Sequence, residues 1–178
     1  MKKKTGLILL ILVLVFSNTM PAMAASASYT AASKAYKTYM SKRSVNGSKI
    51  VDVDKNGIPE LLMKCKYNGY WYYTLCTYNK STRKVVVLKR VSFGKDYPAC
   101  FQYNTSKKQV YFNQESTGGM IETVFKVNGT KVSKVISFRS MRNYPGFTYT
   151  YQVNGKKVSY NTWSKKRTST LKGFKNHI

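Results

Sequence analysis

The sequence predicts a mainly β fold, an antiparallel meander of about nine strands with an N-terminal helix and a short C-terminal helix. Three observations predict it. From Lys49 onward, short runs of Val, Ile, Tyr, Phe and Thr are broken by turn residues at regular spacing, which is the pattern of strands. Asn-Gly pairs stand at Asn68-Gly69, Asn128-Gly129 and Asn154-Gly155, each between strand-like runs, and such pairs adopt the positive φ of a two-residue hairpin turn at least cost. Finally, the chain repeats itself. YNKSTRKV (78–85) and YNTSKKQV (103–110) lie 25 residues apart, and VNGTKVS (127–133) and VNGKKVS (153–159) lie 26 apart. A hairpin unit with that period means that each strand pairs with the next.

Taken in order, residues 1–24 read as a secretory signal peptide. They have a basic start, an apolar run over 7–16 and a small-residue ending at Ala22-Met23-Ala24. The run is shorter than the roughly 20 residues a membrane span needs. Residues 25–178 read as a single mature domain. Its first element is a helix at about 29–42, where Ala32, Tyr36, Tyr39 and Met40 form one stripe and Ser28 or Thr30 could cap. Residues 43–49, which contain Asn46-Gly47, read as a loop. A cation-type loop at 52–60 leads into the hairpin meander of 61–160, with strands near 61–67, 70–78, 84–92, 98–103, 109–114, 120–127, 130–138, 147–153 and 156–160. The unbroken apolar run Val85-Val86-Val87-Leu88 predicts a central strand, since strands buried on both faces lose their alternation. A closing helix at about 162–172 presents Trp163, Arg167 and Leu171 on one side behind an Asn161 cap. Barrel, curved sheet and sandwich all fit the pattern.

The chain has 31 Lys and Arg against 6 Asp and Glu, a net charge of +25; without Lys2, Lys3 and Lys4 of the leader, 28 bases against 6 acids leave +22. Such an excess concerns partners rather than fold. The bases are scattered, with no block longer than Lys165-Lys166-Arg167, which favours a generally cationic surface over a specific nucleic-acid groove. Outside a cell the nearest polyanions are anionic cell-wall or extracellular polymers and anionic membrane surfaces. Three cysteines, Cys65, Cys76 and Cys100, leave two readings open: three buried thiols, or one disulfide involving Cys100. A two-residue turn at Asn68-Gly69 sets Cys65 opposite Tyr72 and Cys76 opposite Leu61, too far along the ladder for those two to bridge.

Half of the six acids fall in VDVDKNGIPELLM (51–63). With Asp52 as position 1, Asp54, Asn56, Ile58 and Glu60 occupy positions 3, 5, 7 and 9, and Gly57 permits the turn. Alternate oxygens around a tight turn, with the backbone carbonyl of Ile58, suit a hard cation such as calcium. Position 12, where an EF-hand needs its bidentate Glu, is Met63, so that motif is excluded. The stretch resembles the D-x-D-x-D-G-x-x-D calcium loops of integrin-type propeller repeats. More closely, it resembles small secreted proteins of Gram-positive gut bacteria, in which a helix precedes a DxDxDGxPEL loop and Tyr-rich hairpins. That resemblance implies this architecture and a structural calcium site, and no activity. Here Asn56 replaces an Asp and Lys55 stands beside it, so binding is expected at the weak, extracellular end, about 10⁻⁴ to 10⁻³ M. The other reading is a turn whose side chains accept backbone hydrogen bonds.

The inventory argues against catalysis. The single histidine, His177, is next to the last residue, and outside the loop only Asp96, Glu115 and Glu122 remain as acids. Aromatics are abundant, and on a hairpin Tyr70 and Tyr72 face one side while Trp71 and Tyr73 face the other, so one set packs and the other could stack on a ligand. The expected function is a secreted non-enzymatic binding protein. Its candidate contacts are Tyr70, Trp71, Tyr72, Tyr73, Lys165, Lys166 and Arg167. The alternative is a cationic effector acting on membranes or a receptor.

Overall fold

Two sheets packed face to face, each covered on its outer side by one helix, make a four-layer sandwich. The computed structural model describes residues 20–93, 99–116, 118–146 and 148–176. Helix α1 (Met20–Met40) is followed by β1 (Ser44–Val51), β2 (Glu60–Tyr67), β3 (Tyr70–Asn79) and β4 (Lys84–Phe93), which form a four-stranded sheet in that order. The second sheet holds β5 (Ala99–Asn104), β6 (Gln109–Ser116), β7 (Gly119–Asn128), β8 (Lys131–Asn143), β9 (Thr148–Val153) and β10 (Lys156–Val158) in consecutive order. After helix α2 (Tyr160–Leu171), β11 (Lys175–Asn176) adds to the β5 edge. The antiparallel meander is therefore present, as two sheets.

Strand alternation distributes the apolar residues among three cores. In β2, Leu61, Met63 and Cys65 point toward α1, where they meet Ala32, Tyr36, Cys76 and Tyr78, while Leu62 points between the sheets. There it joins Tyr73 and Leu75 from β3 and Phe101, Val110, Phe112, Phe125 and Val127 from the second sheet. On that sheet's far side, Tyr111, Val124, Ile136, Phe138 and Val153 meet Trp163 of α2. Phe101 stacks on Phe112 at 4.3 Å between centroids, and Trp163 stands edge-on to Phe138 at 6.5 Å. Each fully buried side chain of this size contributes roughly 1.5–3 kcal/mol relative to exposure.

Several expectations are corrected. The helix expected at 29–42 runs over Met20–Met40, so Ser28 and Thr30 lie inside it and cap nothing. Of the expected leader, residues 1–19 lie outside the described residues, as do Asp96 and His177. The expected loop at 43–49 is strand β1, because Asn46-Gly47 makes a bulge between Val45 and Ser48 and pairing with β2 continues on both sides. Val85-Val86-Val87-Leu88 is on an edge strand, and Val87 is 38% exposed. Its alternation is lost for a different reason. Val85 packs under α1, Leu88 packs between the sheets, and a bulge near Leu88 shifts the register between them. The pairing of Asn128 with Lys131 makes Gly129 and Thr130 the turn residues, one position later than expected, downstream of a bulge at Val124/Phe125. Asn68-Gly69 and Asn154-Gly155 do form two-residue turns, all four residues at positive φ. The closing helix begins at Tyr160, with Ser159 as its cap in place of Asn161.

The cysteines lie on opposite sides of the sandwich. Cys65 faces Tyr72 and Cys76 faces Leu61 across the β2–β3 ladder, both under α1, whereas Cys100 packs on the α2 side of the second sheet. All three are free. A bridge from Cys100 to either partner would have to cross two sheets.

Candidate metal centre

Strand β1 ends at Val51 opposite Glu60, the first residue of β2, so residues 52–59 must loop out and return within one strand pair. Asp52 organises the return. Its Oδ1 accepts from the Asn56 N–H at 3.1 Å and its Oδ2 from the Gly57 N–H at 2.9 Å. Asn56 Oδ1 accepts in turn from the Ile58 N–H at 2.7 Å. Gly57 has φ +82°, in the left-handed region that a side chain rarely tolerates. Val53 is fully buried in the inter-sheet core, and the Tyr36 hydroxyl of α1 donates to the Pro59 carbonyl at 2.6 Å. The loop is thus held from below by the core and from the side by the helix.

Its carboxylates point inward. Glu60 is fully buried; its Oε2 accepts from the Val53 N–H at 2.8 Å and its Oε1 from the Thr77 hydroxyl at 3.5 Å. Asp54 is 2% exposed, and its Oδ2 accepts from Asn56 Nδ2 at 3.0 Å and from the Gly129 N–H at 2.6 Å. Asp54 Oδ1 is buried with no hydrogen-bond partner. One oxygen from each of Asp52, Asp54 and Glu60 lies within 4.8 Å of the others. Oxygens around a calcium ion at 2.3–2.6 Å stand no more than about 5 Å apart, so the three could hold one cation. Burial pushes the Glu60 carboxyl up to about 8; the Val53 N–H opposes this, while Asp54 and Asp52 add to it. A loop that gathers three acids and leaves one buried oxygen unpaired is short of positive charge.

Of the five expected ligands, Asp52, Asp54 and Glu60 converge, while Asn56 uses its side chain to brace Ile58 and Asp54. The Ile58 residue is half-buried beside them. Among the expected contact residues, Tyr73 is buried in the inter-sheet core and Trp71 packs against it. Tyr72 lies on the other face with the Arg90 guanidinium 5.8 Å from its ring, and Tyr70 is 68% exposed. Lys165 and Lys166 are exposed on α2. Arg167 turns inward instead, because the fully buried Glu122 takes its Nε at 2.6 Å and its Nη2 at 2.7 Å. The Tyr111 hydroxyl also donates to Glu122. Glu115 accepts from Asn113 Nδ2 at 3.3 Å.

The contribution of Gly129 has no sequence signature, since any residue offers a backbone N–H. Among the described residues no helix is long and apolar enough to cross a membrane. Comparison of the chain with protein-family models, with curated protein sequences and with solved structures gives no match.

Proposed function

We propose that this chain is a secreted, non-catalytic binding protein whose cationic surface holds anionic polymers of the cell envelope or its surroundings, and whose 52–60 loop takes a structural calcium ion. One observation carries the first half. Of the six acids, Asp52, Asp54 and Glu60 are committed to the loop and Glu122 to Arg167, so only Asp96 and Glu115 remain to offset the other bases. A charge so poorly compensated internally is balanced by partners outside.

In the loop, the Asp52, Asp54 and Glu60 carboxylates would hold the ion, with Asp54 Oδ1 gaining the partner it lacks. Bound calcium would neutralise the gathered acids and stiffen the junction between the sheets. The chain's own groups do the positioning: Asn56, Gly57, Val53 and Gly129 present their N–H groups to the acids, and Tyr36 fixes the Pro59 carbonyl.

The polymer reading is tested by retention on an immobilised anionic polymer across a salt series. Retention should fall steeply as salt screens exposed charges. Retention unchanged between low and high salt would overturn it, and leakage of anionic vesicles at matched concentration would replace it with a membrane-active reading.

A further inference from the structure

The cations are scattered in sequence, but the fold gathers four of them around one groove of about 510 Å³, formed where the end of α1 meets the β3–β4 turn. Lys42 and Arg43 come from the turn after α1, Arg83 and Lys84 from the hairpin, and Tyr39, Ala35 and Val85 supply an apolar wall. No carboxylate lies in residues 1–51 or 61–95, so neither wall of the groove carries an acid.

One of the four, Arg43, is held in place, and a second, Arg83, has its backbone fixed by the turn. The Arg43 guanidinium lies 3.5 Å above the Tyr39 ring and donates from Nη1 to the Tyr39 carbonyl at 2.6 Å. Arg83 has φ +53° in a turn that Asn79 organises, its Oδ1 accepting from the N–H groups of Ser81 at 3.0 Å and Thr82 at 3.1 Å. The internal repeat provides a comparison. The β5–β6 turn has the same build, with Asn104 at the position of Asn79 and Lys108 at φ +55° at the position of Arg83. There Lys107 Nζ donates to the Thr170 and Lys172 carbonyls at 2.8 and 3.1 Å and so closes the end of α2. At α1 that task belongs to Arg43, and the side chains of Lys42, Arg83 and Lys84 make no hydrogen bond or ion pair with the described residues. The same turn caps a helix in one sheet and is left with free charge in the other.

We infer that this groove is the seat of the polymer, and that it takes a phosphodiester chain. Guanidinium forks pair with phosphate oxygens in a bidentate way, lysines add point charge, and Tyr39 supplies an apolar wall for the links between phosphates. The inference rests on the polymer reading above and narrows it to one place and one ligand class.

The test compares two triple variants of equal charge in binding to poly(glycerol phosphate), measured by calorimetry at fixed salt. One carries Lys42→Ser, Arg83→Asn and Lys84→Ser; the other carries Lys131→Ser, Lys156→Ser and Lys157→Ser, all exposed and none of them lining the groove. Unchanged thermal unfolding in both establishes that the comparison is between folded proteins. The groove variant should bind at least tenfold more weakly and the control less than threefold. Equal loss in the two would overturn the groove while leaving the polymer reading intact. Failure of the unaltered protein to bind poly(glycerol phosphate), with salt-sensitive retention on another anionic polymer intact, would overturn the phosphodiester ligand alone, and binding only to phosphatidylglycerol vesicles would overturn the polymer as ligand.

Discussion

Asp54 of the β1–β2 loop accepts a 2.6 Å hydrogen bond from the backbone N–H of Gly129, 75 residues later in the β7–β8 turn. The first residue belongs to one sheet's connections and the second to the other's, so the acid loop joins the two layers as well as closing on itself. The Asp54→Ala variant should therefore lose stability without calcium and also lose any response to it. In unaltered protein, 10 mM calcium at a Kd of 10⁻⁴ to 10⁻³ M would add about 1.4–2.7 kcal/mol, a rise of several degrees in Tm. Thermal melts with and without calcium measure both effects, and an unaltered Tm at 10 mM leaves the loop as a turn alone.

Proton linkage gives a second check, made in calcium-free protein. Glu60 is raised from an ordinary 4.5 to about 8, so between those values the folded state holds a proton that the unfolded chain has released. Stability is accordingly full below about pH 4.5 and falls as pH rises toward 8. Glu60→Gln should flatten that decline in denaturant titrations across the range. A decline just as steep in the variant would assign it to other groups.

The Glu122 and Arg167 pair fastens α2 to its sheet. Glu122 has no exposure, so Arg167→Ala strands a buried carboxylate beside Tyr111. The loss should be on the order of 3 kcal/mol, toward the lower end for such pairs because the Arg167 side chain is a third exposed. Replacing both members, as Glu122→Leu with Arg167→Met, should cost less than the single change. Chemical denaturation of the three variants decides this, together with amide exchange of α2.

Gly119, at the start of β7, lies against the backbone of β8 at close quarters. A Cβ there would lie 1.9 Å from the Ser140 carbonyl oxygen, at φ +138°, whereas one at Gly118 would meet nothing within 4 Å. Gly119→Ala should cost several times more stability than Gly118→Ala, by roughly 2 kcal/mol or more, since the obstacle is backbone. Equal effects would show that the strand pair yields.

Thiol accessibility should follow the layers. Burial pushes the Cys76 thiol up to about 12, and Cys65 is likewise enclosed under α1, while Cys100 is only half-buried. Alkylation of native protein at pH 8 should label Cys100 first and the other two only on unfolding. Mass spectrometry of the time course checks the order.

Much of this architecture was legible because hairpins announce themselves locally. A two-residue turn at Asn68-Gly69 sets Cys65 opposite Tyr72, and the structure has that register. The acid loop was legible for the same reason, since Asp52, Asp54 and Glu60 lie within one turn and alternation alone aims them inward. What failed was whatever a distant partner decides. Asn46-Gly47 has the composition of a turn, yet β2 pairs on either side of it and makes it a bulge. The Val85–Leu88 run reads as central because edge strands are usually half wet, but it lies on an edge, with Val85 packed under α1, Leu88 packed between the sheets and Val87 left exposed. Arg167 looked like a surface charge until Glu122, from 45 residues earlier, drew it inward.

The order of the elements divides the molecule at one point. Everything from α1 to β4 builds one sheet with its helix, everything from β5 to β11 builds the other, and the chain passes between them once. Every strand ladder is therefore satisfied within its own half, and the halves meet through the inter-sheet core and the Asp54–Gly129 bond. Neither half needs the other to complete its ladders, so separating them would cost the inter-sheet core and leave Asp54 Oδ2 without the Gly129 N–H, while every strand pair stayed whole.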